Sequence, residues 1–205
     1  MCHARAMIGD DVREAVDVCA AALRPRLGED WSVPVPGLDF TVASVVAHAT
    51  LGPLWYALDA WAGPTDSAGF ELSVGADTAP PALLAGLVQA SMACAGSLDA
   101  MPPDLRGYHP MGSPDRSGFA AMACAELLVH TDDALRGLGS RLDAPRPLAE
   151  AVLTRLFPWH EADADPWLTL LWAHDRPTQL DRPVADGWRW HPAPVAEWTG
   201  QPPAP

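Results

Sequence analysis

The stretch from residue 119 to residue 133 constrains the fold most, because it is apolar on almost every side. It reads Phe-Ala-Ala-Met-Ala-Cys-Ala-Glu-Leu-Leu-Val-His-Thr-Asp-Asp, without glycine or proline, and its length favours a buried helix over a strand. Glu126 and His130 lie four residues apart within it, and residues at this spacing share one face of a helix. A carboxylate among apolar neighbours needs a partner or a metal ion, because burying its charge alone is unfavourable.

A second helical run, from Thr41 to His48, supplies another histidine. Two histidines and a glutamate make three protein ligands, the number found in catalytic zinc sites that keep a fourth position open. Two simpler interpretations remain open. Glu126 and His130 could form a solvated surface pair, and His48 could be a core histidine bonded to a backbone carbonyl.

Helix-forming segments alternate with Pro- and Gly-rich loops along the chain. Thr41 is the predicted N-cap of the helix that carries His48, and Gly52 with Pro53 is predicted to kink that helix. The fold is therefore predicted to be all-α, an up-down four-helix bundle with one additional helix. Hydrophobic periodicity places the helices at residues 8–23, 41–63, 81–101, 117–138 and 147–157.

The C-terminal part of the chain has a different composition. From Asp175 onward it is rich in Pro, Arg and Trp, and five of the nine tryptophans follow Trp159. Such side chains usually cover a core, so we expect a Trp/Pro-rich cap on the end of the bundle. The predicted division is a helical bundle over residues 1–160 and a short C-terminal extension over 161–205. The tryptophans of the cap are Trp167, Trp172, Trp188, Trp190 and Trp198.

Composition excludes several classes of protein. The chain has 205 residues, a formal net charge of −13 and no lysine, so a nucleic-acid partner, which needs a basic face, is not expected. No uninterrupted apolar run approaches the roughly 18 residues of a membrane span, and the first residues lack the apolar core of a signal peptide. The four cysteines are widely spaced without a C-x-x-C pair, which favours free thiols. We expect a soluble cytoplasmic protein, monomeric or homodimeric.

Three segments together carry a family resemblance: Trp31, the run Pro36-Gly-Leu-Asp-Phe-Thr-Val-Ala-Ser-Val-Val-Ala-His48, and the run Glu126-Leu-Leu-Val-His-Thr-Asp-Asp133. They resemble the DinB/YfiT-like metal-binding bundles, and within these the actinobacterial group typified by the mycothiol-dependent maleylpyruvate isomerase. The resemblance implies a divalent metal, usually zinc, bound by His48, Glu126 and His130. It also implies mycothiol or another low-molecular-weight thiol as co-substrate, in an isomerase or an S-transferase.

Four further residues are predicted to belong to the site. Asp133 lies three residues after His130 and could accept the ring N–H of that ligand, although a solvated carboxylate is the alternative interpretation. His109, Trp55 and Arg155 are candidates for contact with a substrate, His109 because its loop precedes the helix of Glu126. For Arg155 an ion pair is the alternative.

Two classes of function are compatible with these residues. The first is a metal-dependent enzyme that acts with a thiol on a small electrophilic substrate, by S-transfer or by cis–trans isomerisation. The second is a non-catalytic bundle that binds a metal or sequesters a small molecule. A structural metal site is expected to close its fourth position with a further side chain, whereas an enzyme leaves it open.

Overall fold

A computed structural model of the chain describes residues 5–75, 77–160, 165–178, 180 and 189–202. Two short 3-10 turns occur, and the described residues form no β-strand but only two isolated bridges. The prediction of an all-α fold is confirmed. The helices are α1 (Gly9–Leu23), α2 (Val42–Asp59), α3 (Pro80–Ala100), α4 (Arg116–Gly137), α5 (Arg146–Leu156) and α6 (Pro166–Ala173).

The most buried helix is α4. Asp115 caps its start by accepting a hydrogen bond from the backbone N–H of Gly118 at 2.8 Å. Of its 22 residues, 17 are buried, because α1, α2 and α5 all pack on it. The small side chains of its alanines let these neighbours approach closely. This position explains why the sequence of α4 has almost no polar face.

The start of helix α2 is capped as its sequence predicts. Thr41 is the N-cap, as predicted, and its Oγ1 atom accepts from the N–H of Ser44 at 3.2 Å. Ser44 Oγ in turn accepts from the Thr41 N–H at 2.8 Å, so the pair satisfies two backbone donors that the first helical turn leaves free. The helix runs through Pro53 without a break and ends at Asp59.

Contacts near the helix ends give the directions of the four longest helices. Near the ends of α3 and α2, Ser97 donates to the carbonyl of Ala57 at 3.0 Å, so these two helices run the same way. Just before α1, Met7 donates to Ser117 Oγ at the start of α4 at 3.0 Å. Helices α1 and α4 therefore also run the same way.

The two parallel pairs run in opposite directions. Arg13, near the start of α1, forms an ion pair of 2.6 Å with Asp99, near the end of α3. Helices α1 and α4 therefore run opposite to α2 and α3, and the order of directions along the chain is up, down, down, up. Each of α1 and α2 packs against both α3 and α4. Strict up-down alternation, predicted from the sequence, is therefore wrong. The connection over residues 60–79 is long enough to return the chain to the end at which α2 began.

Helix α3 is long and apolar enough to cross a membrane, judged by length and composition alone. Leu87, Cys94 and Leu98 on this helix are fully buried, and α3 packs against α1 and α2. Packing therefore accounts for the large apolar side chains on one face of α3, while 44% of its apolar stretch is buried in all.

Arg155 at the end of α5 binds the C-terminal segment to the start of α4. Its side chain is 3% exposed, and it pairs with Asp115 at 2.7 Å. It also donates to the carbonyls of His191 at 3.1 Å and Pro192 at 2.9 Å. A Cβ at Gly118 would lie 2.2 Å from the Pro192 carbonyl oxygen, so the segment docks where α4 has no side chain. Of the predicted cap, Trp167 and Trp190 are buried, whereas Trp188 lies outside the described residues.

Candidate metal centre

The side chains of His48, Glu126 and His130 meet between α2 and α4. One donor atom from each lies within 4.8 Å of the other two. Glu126 Oε2 is 3.0 Å from His130 Nε2 and 3.8 Å from His48 Nε2. The i, i+4 spacing on α4 supplies one pair, and the antiparallel packing of α2 brings the third residue opposite.

The spacing fits a bound divalent ion. Donor atoms about 2.1 Å from a tetrahedral zinc ion lie about 3.4 Å from one another. The two separations from Glu126 Oε2 fall on either side of that value, and all three donor atoms lie within 4.8 Å of one another. Glu126 Oε2 is buried and makes no well-aligned hydrogen bond to a described residue, although His130 Nε2 lies 3.0 Å away. A buried carboxylate oxygen needs a hydrogen-bonding or cationic partner, and a metal ion between the three atoms would supply one in place of a histidine proton.

Glu126 is held ionised by its surroundings. Burial acts to raise the pKa of its carboxyl group, but the neighbouring His130 and His48 outweigh burial and keep the pKa at about 2. Burial lowers the pKa of His48, and the charge of His130 lowers it further, which favours the neutral imidazole that a metal requires. The His48 side chain is 54% exposed, so the centre is open to solvent on that side.

Asp133 lies directly behind His130 and is fully buried. Its Oδ2 atom is 3.2 Å from His130 Nδ1. Oδ2 also accepts a hydrogen bond from Arg176 Nη2 at 2.8 Å, and Oδ1 accepts one from Arg136 Nη1 at 3.1 Å. Burial opposes protonation of His130, but Asp133 and Glu126 together raise its pKa to about 9. A carboxylate in this place orients the ring so that Nε2 points toward Glu126.

Two cavities lie beside His48, one on each side of its side chain. The smaller, of about 170 Å³, also touches His130. The larger, of about 380 Å³, extends toward the loop before α3. Residues of the smaller cavity are Leu38, Phe40, Val45, His48, His130 and Arg176. Those of the larger cavity include Ser44, Ala47, His48, Leu51, Ser73 and Thr78.

The amino-acid sequence matches the mycothiol maleylpyruvate isomerase N-terminal domain over residues 11–135, which is more than half of the chain. The chain belongs to this family. Comparisons with curated proteins and with solved structures gave no significant match. The matched region of the mycothiol maleylpyruvate isomerase N-terminal domain family contains His48, Glu126, His130 and Asp133. Helices α5 and α6 and the C-terminal segment lie beyond it.

The other residues predicted to contact a substrate lie in different surroundings. His109 is next to the rings of Tyr56 and Trp190, with centroids 6.1 and 5.7 Å away, and burial lowers its pKa to about 4. Trp55 is half-buried on α2. Arg155 uses its guanidinium group on Asp115 and the C-terminal segment, and Asp115 precedes Glu126 by roughly 16 Å along α4. These contacts give Arg155 a structural role, and its contact with a substrate stays a prediction.

One residue in contact with Glu126, Tyr56, was not predicted from the sequence. Tyr56 places its hydroxyl 3.3 Å from Glu126 Oε1. Arg176, from beyond the matched family region, lines the smaller cavity and binds Asp133. The signal for Tyr56 was its spacing, because Tyr56 lies eight residues after His48, about two helical turns along the same side of α2.

Gly52 has no side chain, which leaves space for the side chain of Glu126. A Cβ at this position would lie 3.2 Å from Glu126 Cγ. Gly52→Ala should therefore lower zinc affinity by about 10-fold by displacing a ligand. The same change should raise the free energy of unfolding by up to about 1 kcal/mol, because alanine favours the helix. Competition titration with a zinc chelator and urea unfolding measure the two effects.

Gly96→Ala on α3 is the matched control, because a Cβ there meets nothing within 4 Å. It should raise stability by a similar amount and leave zinc affinity unchanged. Equal zinc affinity in the two variants and the wild type would show that Gly52 has no role in placing Glu126.

Proposed function

We propose that this protein binds one divalent metal ion, zinc, through His48, Glu126 and His130, and that it is a thiol-dependent enzyme acting on a small electrophile. The observation that carries the proposal is the meeting of three donor atoms within 4.8 Å, one of them a buried carboxylate oxygen that makes no well-aligned hydrogen bond to a described residue. Membership of a mycothiol-related family supports the thiol.

The open side of the centre favours an enzyme over a purely structural site. The cluster found among the described residues has three ligands, and His48 is half-exposed beside two cavities. A structural zinc site normally has four protein ligands. When bound, the metal would lower the pKa of a thiol at the open position and stabilise its thiolate.

The protein's own described thiols do not serve as the nucleophile. Cys19, Cys94 and Cys124 are all fully buried. Burial raises the pKa of Cys19 and of Cys94 to about 12 and that of Cys124 well above its ordinary value. Because the thiolate is the reactive form, these three side chains are inert, whereas Cys2 lies outside the described residues. We therefore propose a separate thiol as co-substrate.

The two cavities provide space for a thiol and an electrophile on either side of His48. The thiolate would add to an electron-poor carbon of an activated alkene, forming a C–S bond while the π pair moves toward the activating group. Protonation of the neighbouring carbon completes an S-transfer. Rotation about the C–C bond and loss of the thiolate complete a cis–trans isomerisation. Holding both molecules beside one centre supplies the proximity that such a reaction needs.

The residues around the smaller cavity indicate how polar an electrophile it could bind. Arg176 lines it together with His48 and His130, and Asp133 and the His174 carbonyl already occupy the guanidinium group of Arg176. Leu38, Phe40 and Val45 supply the apolar part of the wall. We therefore infer a small, largely apolar electrophile at this cavity.

Cobalt substitution tests the thiol chemistry directly. Adding mycothiol to the Co²⁺-loaded protein should produce a sulfur-to-cobalt charge-transfer band in the near ultraviolet and release one proton, because the thiolate would occupy the open position. Glu126→Gln should weaken the band by changing the ligand set. If the spectrum of the cobalt protein does not respond to mycothiol or to smaller thiols, the thiol-dependent function is wrong and only metal binding remains.

A further inference from the structure

We propose that Tyr56 is a positioning residue of the metal centre: its hydroxyl group holds Glu126 Oε1, so that Glu126 Oε2 faces both histidines. This inference rests on the proposed function, because it concerns how one ligand of the metal is oriented. Tyr56 lies on α2 and is not part of the sequence motif that contains the three ligands.

The two oxygens of Glu126 have different surroundings. Oε1 is 3.3 Å from the Tyr56 hydroxyl. Oε2 lies 3.0 and 3.8 Å from the Nε2 atoms of His130 and His48 and makes no well-aligned hydrogen bond to a described residue. A phenol at neutral pH carries its proton and can donate it to a carboxylate. One oxygen is therefore occupied by Tyr56, and the other is left for the metal.

The ring of Tyr56 is fixed, so its hydroxyl cannot follow Glu126 if the carboxylate turns. Tyr56 is 7% exposed. Its ring packs between those of Phe119 on α4 and His109 in the preceding loop, each with a centroid 6.1 Å away. One helical turn before Tyr56, Gly52 leaves the space that the Glu126 side chain fills. Helix α2 thus contacts this ligand through a glycine at its stem and a hydroxyl at its tip.

Removing the hydroxyl should release the carboxylate. In Tyr56→Phe, the Oε1 atom loses its donor while the ring that fills the space remains. The carboxylate can then rotate, and part of the metal's binding free energy must be used to fix its orientation again. Loss of a hydrogen bond to a metal ligand typically lowers metal affinity by about 10- to 100-fold.

The chain offers a matched control, because it contains two tyrosines. Tyr108 binds the Asp59 carbonyl through its backbone N–H at 3.2 Å, and its hydroxyl makes no hydrogen bond to a described residue. Zinc affinity should fall by about 10- to 100-fold in Tyr56→Phe and change by less than about 2-fold in Tyr108→Phe. Competition titration with a chelator measures both, and the visible bands of bound Co²⁺ should change in Tyr56→Phe alone.

A double-mutant cycle separates positioning from a general effect on the fold. In the Glu126→Ala background, Tyr56→Phe should no longer alter zinc affinity, because the group through which it acts is missing. A loss of affinity that persists in that background would overturn the proposal. Unchanged affinity in Tyr56→Phe, with a wild-type protein that binds zinc, would also overturn it and leave the proposed function intact. A wild-type protein that binds no zinc would overturn both.

Labelling with 13C-tyrosine gives a test that needs no change at Tyr56. The wild-type spectrum should contain two signals from the ring carbons that bear the hydroxyl groups, and Tyr108→Phe assigns them. Adding zinc should shift the Tyr56 signal and leave the Tyr108 signal in place. Equal shifts, or none while zinc is bound, would contradict the contact between Tyr56 and the metal-binding carboxylate.

Discussion

The double substitution His48→Ala/His130→Ala should reduce bound zinc from about one ion per chain to none, because one carboxylate is then the only ligand left. The fold should survive the change. His48 is half-exposed, and without His130 the buried Asp133 keeps its ion pairs with Arg136 and Arg176. Elemental analysis of the purified protein measures the loss, and circular dichroism verifies the helices.

The control for this experiment is His160→Ala. His160 follows α5, and its Nδ1 atom is 3.0 Å from the Phe157 carbonyl oxygen, so the change removes a histidine without touching the cluster. This variant should carry as much zinc as the wild type. Equal zinc in the double variant and in His160→Ala would show that the metal, if bound, lies elsewhere.

The second large effect is expected at Arg155, where Arg155→Met should lower the free energy of unfolding by about 3 kcal/mol, because it removes one partner of a buried ion pair. The carbonyls of His191 and Pro192 lose their donor at the same time. Asp115 is 24% exposed and can regain water, which places the effect at the lower end of the usual range. In a chain of this size the melting temperature should fall by roughly 6–12 °C.

A surface arginine gives the comparison. Arg13→Met removes exposed ion pairs with Asp10 and Asp99, and it should lower the free energy of unfolding far less than Arg155→Met, because solvent screens exposed pairs. Thermal and urea unfolding measure both variants. Similar small losses in the two would mean that the C-terminal segment is not held by Arg155.

Arg155 and Arg176 both lie beyond the region that matches the family, yet they act in different places. Arg155 binds residues 191 and 192 to the start of α4. Arg176 reaches back to Asp133 behind His130 and lines a cavity beside the metal centre. The part of the chain that follows α6 therefore contributes directly to the surroundings of the candidate site. Its division from the bundle at residue 160 stays a prediction.

The sequence by itself determined the helices and the candidate ligands, because both follow from short-range spacing. Hydrophobic periodicity located all four long helices, and Thr41, as an N-cap residue, predicted the start of α2. The i, i+4 spacing of Glu126 and His130 required that they share a face wherever α4 packs. Asp133, three residues further, was within reach of His130 for the same reason.

Only the tertiary structure decided what lies opposite those residues. The parallel course of α2 and α3 depends on a long connection whose path no local pattern specifies. Tyr56 and Gly52 meet Glu126 from another helix, and Arg176 meets Asp133 across 43 positions of sequence. The same packing separated Arg155 from the site. Spacing along one helix fixes which side chains share its face, whereas contacts between helices depend on how their buried faces pack together.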